Sequence, residues 1–202
     1  MFNYNSSLEK FFNPYAGSFD ARSLTQALVV YSNQFYNYYK SGDCEIELKK
    51  EMKAKACKYE LRFIADYKKE IIKGFSNYSN GPILAQEFKD ACKEICYENW
   101  DDFFKVLDWI KDNWSWEKGE HYFERFAKFS ENEPTIVHEF GFEDYARDLG
   151  EECYLGDLRR NNGNNPIIDF IDWEGWADFI KNDYTEVANP LNESRCIYYR
   201  SY

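Results

Sequence analysis

Carboxylates at helical spacing are the residues of this sequence whose chemistry stands out. Asp144 is followed by Asp148, Glu151 and Glu152, a spacing that places all four on one face of a helix. Like charges at such spacings repel each other by a few tenths of a kcal/mol per pair, roughly, in an isolated helix. A surface that costs stability in this way indicates that the negative charge serves a partner.

A second set of carboxylates lies earlier in the chain. Asp101, Asp108 and Asp112 are separated by seven and four residues, and Asp102 stands beside them. Carboxylates four residues apart on a helix are about 6 Å apart, because the helix rises about 1.5 Å per residue. Neighbouring phosphates of a DNA strand are separated by a distance of the same order. The rows are therefore able to imitate a DNA backbone; the alternative is an acidic surface that only keeps the protein soluble.

Enzyme chemistry has weaker signals. The two histidines, His121 and His138, have carboxylates near them in the sequence, but no hydrolase, zinc-protease or phosphate-binding motif surrounds them. Cys92 and Cys96 are four residues apart and could ligate zinc together with His121, although two thiols on one helix face are more often core residues. We therefore expect no enzyme activity, no cofactor and no metal, and keep a zinc-dependent hydrolase as an alternative.

Charge is distributed unevenly along the 202 residues, whose net charge is −11. Residues 1–44 are neutral, residues 45–80 carry +3, and residues 81–202 carry thirteen basic and twenty-seven acidic side chains, a net −14. Direct binding of DNA or RNA requires positive charge against the phosphates, so nucleic acid is not an expected ligand. Aromatic side chains on the acidic part are expected in the core rather than stacked on bases, and we expect this of Phe103, Phe104, Trp109, Trp173 and Trp176.

Cellular location follows from what the sequence lacks. The first residues show neither a basic segment nor an apolar one of the kind that secretory signals contain, and no apolar run approaches 18 residues. The six cysteines are scattered through a chain large enough to form a core without disulfides. We expect a cytoplasmic protein of a bacterial host cell, with reduced cysteines and no contact with a membrane.

Apolar periodicity predicts short amphipathic helices at 20–40, 45–73, 84–97, 99–110 and 116–129, with a boundary at 76–81. An irregular segment or short edge strand is expected at 2–19, an extended piece at 167–171 and a terminal strand at 197–199. The predicted fold is α+β and mostly helical, with an elongated acidic C-terminal half. Its regions are a neutral to basic helical region at 1–80, an acidic helical bundle at 81–134 and an acidic region at 135–202.

The last region contains a weak internal repeat at an offset of 31 residues. The first copy has apolar residues at 142, 145, 146 and 149, and the second has them at 173, 176, 177 and 180. Each set has the i, i+3, i+4, i+7 spacing of one helix stripe. Two similar amphipathic helices are therefore expected.

Residues 138–187 resemble the C-terminal region of the ArdA antirestriction family. The shared elements are EDYA at 143–146 with a trailing EE at 151–152, then DWEGWA at 172–177 and DYTEV at 183–187. The resemblance implies a dimeric α+β protein whose carboxylates imitate DNA and block type I restriction-modification enzymes. The functional positions that it implies are Glu143, Asp144, Asp148, Glu151, Glu152, Asp172, Glu174, Asp178, Asp183 and Glu186.

The sequence is also consistent with a target other than a type I restriction-modification enzyme, and with one other function. Residues 1–80 do not look like the strand domain of that family, and the basic helix expected at 45–73 is unlike a DNA mimic. An effector of a CRISPR system would be inhibited by the same mimicry, and an ordinary acidic helical interaction protein would use a hydrophobic patch instead. Asp172 has a second interpretation as a helix N-cap, and Lys181 interrupts the second acidic row.

Overall fold

The computed structural model describes residues 18–41, 46–95, 100–114, 119–132, 134–153, 155, 170–190 and 192–200. These residues belong to two compact units. The first, which we call the helical unit, contains the described residues of 21–133. The second, the sheet unit, contains residues 18–20 and the described residues from 134 onward.

Short helices make up the helical unit. They are α1 (Ala21–Lys40), α2 (Ile46–Lys58), α3 (Leu61–Asp66), α4 (Lys68–Gly74), α5 (Gly81–Ala91), α6 (Trp100–Asn113) and α7 (Tyr122–Asn132), with a 3-10 turn at Phe75–Asn77. The helix predicted at 20–40 is confirmed, and Pro82 lies in the first turn of α5 as expected. The helices predicted at 84–97, 99–110 and 116–129 correspond to α5, α6 and α7, whose bounds differ from the prediction by up to six residues; residues 96–99 and 115–118 lie outside the described residues.

Helix α1 forms the centre of the helical unit. Leu24, Leu28, Tyr31 and Phe35, the apolar positions of its predicted stripe, are all buried. Tyr31 stacks on Phe103 of α6, with ring centres 5.7 Å apart. Phe103, Phe104 and Trp109 lie in this core, as expected.

The predicted domain boundary near residue 80 does not separate compact units, because α1 is joined to the end of α5. Gln34 Nε2 donates to the carbonyl of Ala91 at 3.0 Å, and Asn37 Nδ2 donates to that of Cys92 at 2.9 Å. Amide side chains on the surface of a helix can satisfy the last carbonyls of a neighbouring one. These contacts cannot be read from a change in composition along the chain.

The single helix predicted at 45–73 is wrong: three helices occupy this segment. Glu60 interrupts it, with a left-handed backbone at φ 49°. A residue with a Cβ adopts this conformation at a cost, so tertiary contacts must compensate. The contact is made by the Glu60 side chain, which accepts a hydrogen bond from Phe123 N–H at the start of α7 at 2.7 Å.

The sheet unit combines four antiparallel strands with two helices. Its elements are β1 (Ser18–Asp20), β2 (Thr135–His138), a 3-10 turn (Glu139–Gly141), α8 (Phe142–Cys153), α9 (Trp173–Lys181), β3 (Thr185–Asn189) and β4 (Asn192–Arg200). The strand order is β1-β2-β4-β3. The predicted terminal strand is confirmed within β4, where Tyr199 lies opposite Ile136 and Ile197 opposite Val187. Most of the extended piece predicted at 167–171 lies outside the described residues, as does most of the segment predicted at 2–19.

The two copies of the sequence repeat form α8 and α9, which pack against each other. Phe142 and Ala146 from α8 share a buried core with Ala177 and Ile180 from α9 and with Val137 from β2. Trp173 and Trp176 are half-buried at the edge of this core. The apolar stripes of the repeat therefore serve the core of one unit.

The described residues thus form a mostly helical α+β protein, which confirms the predicted fold class. Within this part of the chain, every helix is too short or too polar to cross a membrane.

Candidate partner-binding surface

Three carboxylates lie on one exposed stripe of α8. Asp144, Asp148 and Glu152, which we call the acidic row, are all exposed to solvent. Consecutive members are one helical turn apart, about 6 Å along the axis. Glu143 is exposed beside the first of them.

Packing on the opposite side of α8 fixes the direction of the acidic row. Phe142 and Ala146 are fully buried. Trp176 of α9 donates its indole N–H to the carbonyl of Ala146 at 2.7 Å. A Cβ built on Gly150 would lie 3.0 Å from Trp176 Nε1 and 3.1 Å from Trp173 Cζ3, so the glycine allows the two indole rings to approach closely. Since α8 cannot rotate without losing these contacts, the row is held facing solvent.

The charge at the end of α8 is unfavourable for the helix itself. Glu143 and Asp144 lie in the first turn, where the helix dipole stabilises negative charge. Glu151 and Glu152 lie at the last turn, which contains no basic residue. Carboxylates at a helix C-terminus are destabilising. Glu152, which forms no ion pair with a described residue, therefore has a cost that the fold does not require.

Arg147, which lies between Asp144 and Asp148 in the sequence, does not neutralise the row. Its Nε contacts Glu151 Oε1 at 3.3 Å, and its guanidinium lies 5.3 Å from the centre of the Trp173 ring. Among the described residues, no cation forms an ion pair with Asp144, Asp148 or Glu152. The row thus keeps its negative charge because Arg147 is held by Trp173 and Glu151.

Glu151 differs from its predicted role as an exposed member of the row. It is only 9 % exposed, and its carboxylate faces Arg147. A buried and paired carboxylate offers little charge to a partner. We therefore assign Glu151 to the positioning of Arg147 rather than to the acidic row.

Carboxylates of α9 are divided between structure and surface. Asp172 caps the helix, because its Oδ1 accepts a hydrogen bond from Gly175 N–H at 2.9 Å, which confirms its interpretation as an N-cap. Glu174 and Asp178 are exposed, but Lys181 lies 3.3 Å from Asp178. Lys181 therefore does interrupt the second row.

The remaining two carboxylates of the sheet unit have neighbours in β4. Asp183 lies 4.0 Å from Arg200, a weak and exposed ion pair. Glu186 is exposed and accepts a hydrogen bond from the Cys196 thiol at 3.2 Å. This hydrogen bond raises the pKa of Cys196, since the carboxylate stabilises the protonated thiol.

The four aspartates of α6 that were predicted to bind a partner differ in their exposure and in their contacts. Asp101 and Asp112 are exposed, and Asp102 lies 3.6 Å from Lys105. Asp108 accepts a hydrogen bond from the Tyr59 hydroxyl at 2.9 Å, and Lys58 lies 3.8 Å away. Asp108 thus joins α6 to the end of α2, a structural role that its spacing did not reveal.

No family model, curated protein or solved structure matches this chain.

His121, His138 and Cys92 have different surroundings. His121 is exposed at the start of α7, with its Nδ1 3.2 Å from Glu60, while His138 is buried in β2. Burial raises the pKa of the Cys92 thiol to about 11. Cys96 lies outside the described residues. Within those residues, no group of three or more His, Cys, Asp or Glu side chains is placed to hold a metal ion.

Sequence reasoning missed the residues that hold the acidic row in place. Arg147 and Trp173 are 26 residues apart in the sequence, and a cation–π contact links them. One local signal was present: Arg147 and Glu151 are four residues apart, the spacing of an intrahelical ion pair.

Proposed function

We propose that this chain is a non-enzymatic DNA mimic that occupies the DNA-binding groove of a bacterial defence protein. The observation that carries the proposal is the acidic row, which displays three carboxylates at one-turn spacing with no cation paired to them among the described residues. Residues 134–202 have fourteen acidic and six basic side chains, a net −8, so the row lies in a strongly negative region of sequence. A groove built to hold phosphates attracts such a surface electrostatically.

The site consists of the exposed carboxylates rather than of all those that spacing suggested. In the sheet unit these are the acidic row with Glu143 and Glu174, while Asp178, Asp183 and Glu186 are exposed beside partners of their own. Asp101 and Asp112 offer further negative charge in the helical unit. The resemblance of residues 138–187 to the ArdA family favours a type I restriction-modification enzyme as target, a cytoplasmic site of action and a homodimer.

Competition with DNA tests the proposal. A labelled duplex with the recognition site is bound to a purified type I restriction-modification enzyme, and this chain is added while fluorescence anisotropy is recorded. We expect the duplex to be displaced, and the apparent affinity to fall by about tenfold between low and moderate salt. The salt dependence should be smaller than that of DNA, because a protein carries no condensed counterions to release.

Amide substitutions then locate the site. The triple variant Asp144→Asn, Asp148→Asn, Glu152→Gln should displace DNA at least about 100-fold more weakly, as charge contacts at such interfaces contribute about 1.5 kcal/mol or more each. The control is Glu47→Gln, Asp66→Asn, Glu94→Gln, which neutralises three exposed carboxylates of the helical unit. If both triple variants inhibit equally, the acidic row is not the site. If the chain inhibits a CRISPR effector instead of the restriction enzyme, DNA mimicry remains the mechanism and only the target differs.

A second candidate function, an acidic interaction protein with an apolar contact, is favoured by one observation. Phe179 of α9 is 65 % exposed and stacks on Trp176, with ring centres 5.9 Å apart. In that case Phe179→Ser would weaken binding of the partner, and affinity would hardly change with salt because apolar contacts are not screened. The salt titration therefore separates the two functions.

A further inference from the structure

An aromatic ring of α9 is exposed among the carboxylates of the sheet unit. Phe179 is 65 % exposed, and within the described part of the chain its ring contacts that of Trp176, with 5.9 Å between the ring centres and 27° between the ring planes. One face of the Phe179 ring therefore lies against the indole. The other face is open to solvent.

Negative charge surrounds this open face. Residues 172–183 contain four acidic side chains and one basic side chain, a net −3. Asp178 precedes Phe179, and Asp183 follows it by four residues in the turn after α9, where the backbone stays helical at Asn182. Side chains four residues apart on a helix are neighbours, with about 5–6 Å between their Cβ atoms. An apolar partner would desolvate these carboxylates without pairing them, which is costly, whereas a cation would pair with them.

The sheet unit already holds cations against aromatic rings. Each arginine in its described part lies over a ring: Arg147 over Trp173 at 5.3 Å, Arg195 over Phe140 at 4.3 Å and Arg200 over Tyr184 at 6.0 Å. Two of them also pair with a carboxylate, Arg147 with Glu151 at 3.3 Å and Arg200 with Asp183 at 4.0 Å. A ring with a carboxylate near it thus holds a guanidinium group at two places in this unit. Among the described residues, no cation lies over Phe179.

We propose that Phe179, with Asp178 and Asp183 beside it, binds an arginine side chain of the partner. The guanidinium plane stacks on the open face of the ring, and the two aspartates balance its charge. Arginine fits better than lysine, because a guanidinium group is planar, is more weakly hydrated than an ammonium group and stacks on aromatic faces. The inference rests on the proposed function, since a groove that holds DNA phosphates presents arginines to whatever occupies it.

Homopeptides of arginine and of lysine, equal in length and charge, are the probes. Each is labelled, and its binding to the full chain is measured by fluorescence anisotropy. Phe179→Leu keeps an apolar side chain but removes the aromatic face. It should weaken binding of the arginine peptide by about two- to fivefold, the range for an exposed cation–π contact, and weaken binding of the lysine peptide clearly less. Phe179→Tyr should bind both peptides as the unsubstituted chain does, because its ring keeps the face.

Two further variants separate stacking from charge. Asp183→Asn should weaken binding of both peptides, since it removes charge and leaves the ring in place. Phe63→Leu replaces a ring of the helical unit that is 54 % exposed and follows the exposed Arg62, and it should leave the binding of both peptides unchanged. The thermal unfolding midpoint of each variant shows whether it is folded.

Equal losses of the two peptides on Phe179→Leu, or no loss of either, would overturn the assignment. Displacement of DNA from the restriction enzyme decides the proposed function separately. If the unsubstituted chain leaves the DNA bound, the proposed function is wrong whatever the peptides show. If it displaces the DNA while Phe179→Leu binds the arginine peptide unchanged, only the arginine site is wrong.

Discussion

The Glu60 carboxylate lies at the N-terminus of α7: its Oε2 accepts a hydrogen bond at 2.7 Å from the N–H of Phe123, which is 63 residues away in the sequence. Glu124 completes this cap from within α7, because its Oε2 accepts from the N–H of His121 at 3.0 Å. A helix start satisfied by carboxylates benefits both from hydrogen bonds and from the helix dipole. This contact explains why Glu60 keeps a left-handed backbone.

Glu60→Ala should lower the free energy of unfolding by about 1–2 kcal/mol, the usual cost of losing a helix cap. Alanine also has a Cβ, so the backbone cost at φ 49° stays nearly the same and the loss reports the cap. Urea denaturation followed by circular dichroism measures it. Glu94→Ala, which removes an exposed carboxylate, is the control; equal effects of the two substitutions would show that the cap contributes nothing.

Asp108 should matter for stability rather than for a partner. Its carboxylate accepts from the hydroxyl of Tyr59, a buried residue, and that hydroxyl itself accepts a hydrogen bond from Lys58 at 2.8 Å. Asp108→Ala and Tyr59→Phe should each cost about 1–2 kcal/mol, and the double variant should cost less than their sum. The cycle is measured by urea denaturation. Additive costs would mean that the two side chains are not coupled.

Two helical glycines should respond in opposite directions to alanine. Gly74→Ala meets open space and should raise the free energy of unfolding by about 0.5–1 kcal/mol. Gly150→Ala places a methyl group 3.0 Å from Trp176 Nε1, and that ring is held by its hydrogen bond to Ala146. Overpacking should outweigh the gain in helix propensity and give a net loss of about 1 kcal/mol. If Gly150→Ala were as stabilising as Gly74→Ala, the close packing of the two indoles on α8 would be incorrect.

Alkaline pH should destabilise the sheet unit through Tyr198. Burial, together with the nearby Glu186, raises the pKa of Tyr198 to about 12. The folded state therefore favours the neutral hydroxyl, and the resulting stability is complete below the ordinary pKa near 10 and is lost as the pH rises toward 12. Near-ultraviolet circular dichroism across this range should show a smaller loss for Tyr198→Phe. Tyr78→Phe, which changes an exposed tyrosine, should leave the curve unchanged.

Local patterns in the sequence determined much of this protein. The stripe of Leu24, Leu28, Tyr31 and Phe35 defined α1 because its spacing needs only the geometry of a single helix. The same is true of the paired stripes of α8 and α9, and of Asp172, whose cap is made to Gly175 three residues away. Interactions within one or two helical turns can be read from spacing.

Only the tertiary structure decided which carboxylates are available to bind a partner. Asp108 and Glu151 have the spacing of a surface row, yet one is bound to Tyr59 and the other pairs with Arg147 in a nearly buried position. Glu60 interrupts the single helix that the surrounding sequence favours. A cavity beside Gly74 lies where α1 and α4 meet. The energy of such contacts depends on residues distant in the chain that packing brings together. A spacing rule contains no information about such contacts. Spacing placed Asp144, Asp148 and Glu152 on one face of α8, and the packing of the opposite face showed that these three carboxylates face solvent.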